Sequence, residues 1–222
     1  MNPINESIKD TIIPGLADKM KAKTWDLHKK AERTGIVGDI LKRQISLEAY
    51  ALYVRNLLDI YEALEKTMIK TSSPTSFQPF FDPALFRTKF LRQDLKTLKS
   101  ALNQSEFSVL DITNQYVENI ETAANKNPAA LLGHIYVRYL GDLNGGTVLA
   151  RLLTDALSLR PSMLNFYNFP EIDDLKSYRE SYRNKLNQLQ LTAGEISCAI
   201  ASAKDAFKLN ITLSIDVKTH QS

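Results

Sequence analysis

The segment HIYVRYLGDLNGGTVLARLL, residues 134–153, decides how the chain folds. Its two halves carry apolar residues at helical spacing, and Gly141, Gly145 and Gly146 lie between them. Each interior glycine costs a helix about 0.5–1 kcal/mol relative to alanine. Three glycines within six residues therefore predict a long helix in which the glycines serve a purpose, with a kink or hinge near Gly146.

The same segment predicts a helix face without side chains. Gly141 and Gly145 are four residues apart, so they share one face, and the backbone there could touch a flat ligand. Arg138 and Asp142 have the same spacing and are predicted to pair on an adjoining face, where the carboxylate could organise water or bound oxygen. A tight helix–helix crossing explains the glycines equally well, and Arg138 and Asp142 would then form an ordinary surface pair.

The rest of the chain also favours helices. Glycine and proline are scarce at eight each, and strand-like alternation is absent from the sequence. The loop predicted from Thr71 to Pro83 does not divide the chain, because no second core pattern follows it. We therefore expect one all-α domain over residues 1–222, with flexible tails at about 1–10 and 217–222. About seven helices are expected: Leu16 to Ala31 (ended by Thr34-Gly35), after Ser46 to Lys70, Pro83 to Leu102, Asp111 to Ala124, Asn127-Pro128 to Leu159, Asp173 to Gln190, and Thr192 to Ile215.

The composition excludes several classes of protein. A net charge of +3 is too mild for a nucleic-acid-binding protein. The single cysteine, Cys198, rules out an internal disulfide and a cysteine-rich metal site. No window reaches 18 uninterrupted apolar residues, and residues 1–10 do not look like a secretory signal. We therefore expect a cytoplasmic protein without a membrane anchor.

Two of the three histidines are candidate metal ligands. Glu32 lies one turn after His28 and could bond the ring nitrogen that a metal leaves free. His134 competes with it, because it lies on a face similar to that of Gly141, about 10 Å along the helix. An axial ligand must come from the wall opposite the bare face, which favours His28 on another helix. A lone histidine is more often structural than a ligand, and His220 lies in a polar tail.

Several segments of the chain resemble a known family. Tyr136 to Gly146 looks like the signature segment of haem oxygenases, and the resemblance runs from about Leu16 to Leu213. Thr24 to Glu32 is similar to the family's proximal helix. Later family segments are matched by Asn168-Phe169-Pro170, by Tyr182-Arg183 and by Ala206 to Asn210.

The resemblance implies a single-domain, multihelical haem-oxygenase-like fold, with haem between a proximal helix and a kinked distal helix. It implies that His28 ligates the haem iron and that Asp142 orders distal water and helps to activate oxygen. Two positions depart from the family's usual residues: Asn144 stands where serine is common, and Arg179 where lysine is common. The remaining implied roles are Glu32 beside the ligand, Gly141 and Gly145 over the haem face, Arg138 and Tyr61 in the distal network, Lys21, Tyr136, Arg179 and Arg183 near the haem propionates, and Phe207 and Asn210 lining the pocket.

The implied reaction uses haem as both cofactor and substrate. With O2 and reducing equivalents it yields biliverdin (the alpha isomer is expected), carbon monoxide and ferrous iron. Electrons would come from an external ferredoxin or flavin reductase, since the sequence has no nucleotide fingerprint. In lacking a membrane anchor the chain resembles the soluble, bacterial-type enzymes.

Two alternatives stay open. A thiaminase-like enzyme on the same architecture would need Cys198 as its nucleophile, and no activating base stands near it in the sequence. A haem carrier or sensor without turnover is the other, although a carrier has no need of Asp142.

Overall fold

Eight α-helices make up most of the part of the chain that the computed structural model describes, residues 14–71, 77 and 80–220. No β-strand occurs in these residues, so the all-α prediction is confirmed. Short 3-10 turns lie at Pro83–Leu85, Pro161–Met163 and Asn165–Tyr167. The helices are α1 (Leu16–Arg33), α2 (Gly35–Lys42), α3 (Leu47–Thr71), α4 (Thr88–Leu102), α5 (Asp111–Lys126), α6 (Ala129–Leu157), α7 (Leu175–Gln188) and α8 (Ala193–Thr219).

Local capping signals locate several helix starts. The Ser46 hydroxyl accepts a hydrogen bond from the Ala49 amide at 3.0 Å, at the start of α3. Thr192 and Glu195 form a reciprocal capping box at the start of α8. This last helix runs beyond the predicted end at Ile215 to Thr219, so residues 217–219 are helical where a tail was expected. The other expected tail, residues 1–10, lies outside the described residues.

Helix α2 was missed by the sequence analysis. Thr34 and Gly35 end α1 as predicted, but a second helix begins at once. Gly35 has φ +58°, and a Cβ there would lie 2.1 Å from the Ser214 carbonyl oxygen of α8. The Ser214 hydroxyl also donates to the Thr34 carbonyl at 2.9 Å. This corner depends on contact with α8, which lies 180 residues further along the chain.

The helix predicted over residues 83–102 is interrupted, and α4 begins only at Thr88. Fully buried Arg87 lies at the interruption, and its guanidinium donates to the Asn168 carbonyl at 2.6 Å. Glu65 of α3 accepts a hydrogen bond from the Thr88 amide at 3.1 Å. The Thr88 amide and the Arg87 side chain thus bond to groups outside their own segment, and the helix is interrupted before Thr88. They also fix the segment after α6 against α3 and α4.

Helix α8 is central to the arrangement of the helices that carry the candidate site. Both α6 and α1 pack along it, whereas α1 and α6 share few contacts with each other. Helix α3 packs on α4 and α5 and also reaches α6 and α8. His28 on α1 and Asp142 on α6 are therefore held by a common support and not by direct packing of their own helices.

Candidate active site

Gly141 and Gly145 border open space. A Cβ at either position would meet no atom of another element within 4 Å. At Gly133, by contrast, a Cβ would lie 2.5 Å from the Ala199 carbonyl oxygen of α8. The helix-crossing interpretation is therefore wrong for Gly141 and Gly145. It describes Gly133 instead, a residue that the sequence analysis did not single out.

The glycines do not interrupt α6, which stays helical from Ala129 to Leu157. Gly146, where a kink or hinge was expected, is buried and faces the Tyr167 ring, 3.5 Å from where its Cβ would be. The Asn144 side-chain amide donates a hydrogen bond to the Leu140 carbonyl of its own helix. The bare face is therefore part of a continuous helix.

A hydrogen-bonded network from α3, α6 and α8 adjoins this face. The Tyr61 hydroxyl donates to the Asp142 carboxylate. Arg138 Nε donates to the Tyr61 oxygen at 3.0 Å, and its Nη1 donates to Asn210 Oδ1 at 2.7 Å. The guanidinium carbon also lies 4.7 Å from the centre of the Tyr61 ring. Arg138 and Asp142 are thus joined through Tyr61, where the sequence predicted a direct pair.

Burial shifts the proton affinity of this network. It raises the pKa of Asp142 from 3.8 to about 6, against the opposing effects of Arg138, the Tyr61 hydrogen bond and Arg87. Burial also raises the pKa of Tyr61, which therefore remains a protonated donor at neutral pH. A carboxyl group whose pKa lies near neutrality can both release and accept a proton.

His28 on α1 is held by two aromatic rings. Trp25 stacks on it at 5.7 Å and 8° between ring planes, and Phe207 of α8 contacts it edge-on at 5.9 Å. Nδ1 is buried without a hydrogen-bond partner among the described residues, and Glu32 Oε2 lies 3.7 Å away, too far for a hydrogen bond. The side chain is 45% exposed, so its accessible surface lies on atoms other than Nδ1.

Helix α8 connects the two halves of the site. Phe207 touches His28 of α1, and Asn210 bonds Arg138 of α6. Three residues correspond to about 4.5 Å of helix rise, so these two contacts lie less than one turn apart. The histidine and the distal network are therefore supported by neighbouring positions on one helix.

His134, the competing ligand, lies in the core. It is 0% exposed, and neither ring nitrogen has a hydrogen-bond partner among the described residues. Burial lowers its pKa to about 4. The Tyr116 ring lies 5.8 Å away, centre to centre. A side chain enclosed in this way does not reach the open face of α6.

The four groups expected near haem propionates differ in their contacts. Arg183 forms an ion pair with Asp18 of α1. Tyr136 is partly buried, and burial raises its pKa while neighbouring Thr24 and the charge of Arg183 oppose the rise. Lys21 and Arg179 form no ion pair with any described residue. Tyr136 and Arg183 thus meet where α1, α6 and α7 converge.

Two tyrosines beside the distal network were not predicted from the sequence. Arg138 and Asp142 are among the groups that act on the pKa of Tyr53, which burial raises. Burial also raises the pKa of Tyr116, and Arg138 and Asn210 both oppose that rise. Tyr53 lies eight residues before Tyr61 on α3, and this spacing was a usable signal. Tyr116, on α5, had none, because its proximity depends on helix packing.

Comparison with known proteins places these features in a family. Residues 14–216 match the family model described as "Heme oxygenase". The chain belongs to the haem oxygenase family. It is 31% identical over 198 residues to Heme oxygenase 1 of Synechocystis, covering 89% of this chain and 82% of that protein. With human Heme oxygenase 1 the identity is 31% over 207 residues, 92% of this chain and 72% of the human protein.

Solved haem oxygenases share the architecture. The structure of haem oxygenase-1 from Synechocystis in complex with haem superposes with a TM-score of 0.87 at 30% identity, covering 93% of both chains. The haem oxygenase of Leptospira interrogans gives 0.82 at 27% identity, over 91% of this chain and 99% of the other. The predicted haem oxygenase fold and enzyme class are confirmed, and the thiaminase-like alternative is set aside. No helix in the described part of the chain has the length and apolar character needed to cross a membrane.

Proposed function

We propose that the chain binds haem between α1 and α6 and cleaves it with O2 and external electrons to biliverdin, carbon monoxide and ferrous iron. One observation carries the proposal. The open glycine face of α6 adjoins Asp142, whose pKa lies near 6 within a network of Tyr61 and Arg138. Haem is the substrate, and when bound it also supplies the iron that activates O2.

On the proximal side, His28 would hold the iron. Its Nδ1 is buried, which leaves Nε2 as the candidate ligand atom. Trp25 and Phe207 would restrict the ring to a narrow range of orientations. Glu32 is 3.7 Å from Nδ1, and a small side-chain movement would allow it to accept the Nδ1 hydrogen bond and set the tautomer.

On the distal side, Gly141 and Gly145 would allow the flat substrate to lie against helix backbone. Asp142 would hold water at this face and transfer protons, since its pKa of about 6 suits exchange near neutral pH. Tyr61 and Arg138 would orient the carboxyl group.

The propionates would meet the cationic groups of α1 and α7. Lys21, Arg179 and Arg183 offer charge, and Tyr136 offers a hydroxyl donor. Arg183 would have to share or exchange Asp18, and a partly exposed pair of this kind costs little to rearrange. Arg179 replaces the usual lysine, which changes the geometry available at a carboxylate.

The electron donor would be a separate ferredoxin or flavin reductase, and the net charge of +3 suits an acidic partner. The single cysteine suits the reducing cytoplasm, where we expect the enzyme to act.

Haem turnover under air tests this function. The haem-loaded protein should lose its Soret band and form biliverdin when a donor system is supplied, and product analysis should give the alpha isomer. A band that stays stable under reduction would support a carrier instead. Asp142→Ala should bind haem but lose biliverdin formation, whereas Asp155→Ala, on the exposed end of the same helix, should behave as wild type. Normal biliverdin yield from Asp142→Ala would contradict the role of this carboxylate.

A further inference from the structure

Helices α1 and α7 are joined through the side chain of Asp18, in the first turn of α1. One carboxylate oxygen of Asp18 accepts a hydrogen bond from Arg183, and the other accepts one from Asn187 at 2.9 Å. Arg183 and Asn187 are four residues apart on α7 and therefore share one face of that helix. We call Asp18, Arg183 and Asn187 the Asp18 clasp.

Asn187 fixes the orientation of Asp18, because its amide group bonds to α1 in two places. Gly15, the N-cap residue of α1, provides no side-chain cap. Instead, Asn187 Oδ1 accepts a hydrogen bond from the Asp18 backbone amide at 3.2 Å, so α7 supplies the cap that α1 lacks. A Cβ at Gly15 would lie 2.4 Å from Asn187 Cβ, so this close approach requires glycine. Asp18 is thus held at both its backbone and its carboxylate.

Arg183 is anchored through only one nitrogen of its guanidinium. Its Nη2 donates to Asp18, and neither Nε nor Nη1 is bonded to a described residue. The side chain is 48% exposed. Burial raises the pKa of Tyr136 on α6, and the charges of Arg183 and Asp18 act on it in opposite directions, so the pair lies near Tyr136. Tyr136 precedes Gly141 by about 7.5 Å of helix rise, so the clasp lies beside the segment that leads to the proposed haem face.

A guanidinium anchored in this way can bind a second carboxylate without losing Asp18. Its donors form a rigid planar fork, so fixing one nitrogen also fixes the directions of the others. Haem carries two propionate carboxylates on one edge. Once His28 holds the iron, the flat ring could still turn about the iron. A cation fixed in one place would set this angle, and with it the edge carbon that faces Asp142.

We propose that Asp18 is a positioning residue, which together with Asn187 holds the Arg183 guanidinium so that its remaining donors bind one haem propionate and set the rotation of the ring. Asp18 and the propionate share Arg183, and neither displaces the other. This role rests on the proposed function, because it concerns the same bound substrate.

Haem titrations test whether Asp18 positions Arg183 or competes for it. Arg183→Gln should weaken haem binding, and this loss should be smaller by about threefold or more when Asp18→Asn is also present. A larger loss in the Asp18→Asn protein would show competition, and an equal loss would show independence, so either result would overturn the proposal. Asp26→Asn removes the same charge from a 93% exposed side chain of α1, and as the matched control it should leave the loss unchanged.

Haem dimethyl ester, whose propionates carry no charge, identifies the group that Arg183 binds. The cost of Arg183→Gln should largely disappear when this ester replaces haem in the titration. An undiminished cost would show that Arg183 does not bind a propionate, and the proposal would then be wrong. Neither titration requires turnover.

Product analysis tests the effect on ring rotation. The wild-type protein and the Asp26→Asn control should form mainly one biliverdin isomer, whereas Asp18→Asn should form a mixture. Asn187→Ala keeps the charge of Asp18 and removes its support, so it should also form a mixture, and it covers the case in which Asp18→Asn does not fold. An unchanged single isomer from the folded variants would refute the role of Asp18. If the wild-type protein bound haem without turnover, the proposed function would fail, whereas the titrations would still decide whether Asp18 positions Arg183.

Discussion

Asp142 is partly buried beside groups that favour its ionised form, yet the removal of its carboxyl group from water has the larger effect on its pKa. Arg138, Tyr61 and Arg87 all lower its pKa, and the net value is still raised to about 6. Tyr61 comes from α3 and Arg87 from the segment before α4, so the proton affinity of this residue is a property of the assembled fold. His28 likewise owes its orientation partly to Phe207 of α8.

Asp142→Asn should change how stability depends on pH. Between pH 3.8 and about 6 the folded state binds a proton at Asp142 that the unfolded state has released. The free energy of unfolding of the wild-type protein therefore falls as the pH rises through that interval, by at most about 3 kcal/mol. Asparagine does not titrate, so the free energy of unfolding of Asp142→Asn should not fall in this way. The variant should therefore be more stable relative to wild type at neutral pH than at low pH. Denaturant unfolding of both proteins across the interval measures it, and a pH-independent difference would contradict the raised pKa.

His28→Ala should remove the axial imidazole from the spectrum of the haem-bound protein, and added imidazole should restore it. His134→Ala should keep the axial signature and lower stability, because it opens a cavity in the core. Absorption and paramagnetic resonance spectra of the two variants provide the measurement. The opposite pattern would make His134 the ligand.

Along α6, glycine has three different environments. Gly133 allows close approach of α8, Gly146 faces Tyr167, and Gly141 and Gly145 leave a face open. All four have the same low helix propensity, so the sequence does not distinguish them. Only the neighbouring elements separate a packing glycine from one that borders free space.

Gly141→Ala and Gly133→Ala should therefore differ in the haem-free protein. At Gly141 a methyl group meets nothing, so stability should stay unchanged or rise by up to about 1 kcal/mol through helix propensity. At Gly133 the methyl group would lie 2.5 Å from α8 backbone atoms, and overpacking should destabilise by about 1–3 kcal/mol or more. Thermal unfolding compares the two.

The same pair should differ in haem titrations, where Gly141→Ala should bind haem more weakly because its methyl group occupies the proposed haem face. Equal destabilisation of both variants would show that Gly141 packs against protein.

Across the whole molecule, α8 supports the helices that carry the two sides of the site. Few contacts join α1 directly to α6, while both pack along α8. A ligand held between α1 and α6 would add the direct connection that packing does not supply. Binding to the folded state alone also stabilises it by mass action.

Haem should accordingly increase hydrogen-exchange protection most in α1 and α6, and least in α4, which packs on α3. Mass-spectrometric exchange with and without haem gives the comparison. A uniform increase over all helices would indicate global stabilisation without a bridge between α1 and α6.

Part of the fold was predictable because its signals are local. The Ser46 cap, the Thr192–Glu195 box and apolar periodicity each act within one or two turns of helix. The helices predicted to begin after Ser46 and near Thr192 are present. Helix α2 and the interruption at Arg87 were missed, because Ser214, Glu65 and Asn168 create them from distant parts of the chain.

By itself the sequence determined the all-α class, the long helix with its glycines, and the residue types available for chemistry. Only the tertiary structure decided that Gly141 and Gly145 border open space, that Tyr61 stands between Arg138 and Asp142, and that His134 is enclosed. Propensity and capping depend on neighbours in the chain. Which faces stay open, which side chains form hydrogen bonds and how far a pKa shifts all depend on which helices pack together. That packing is made by contacts between residues far apart in the sequence.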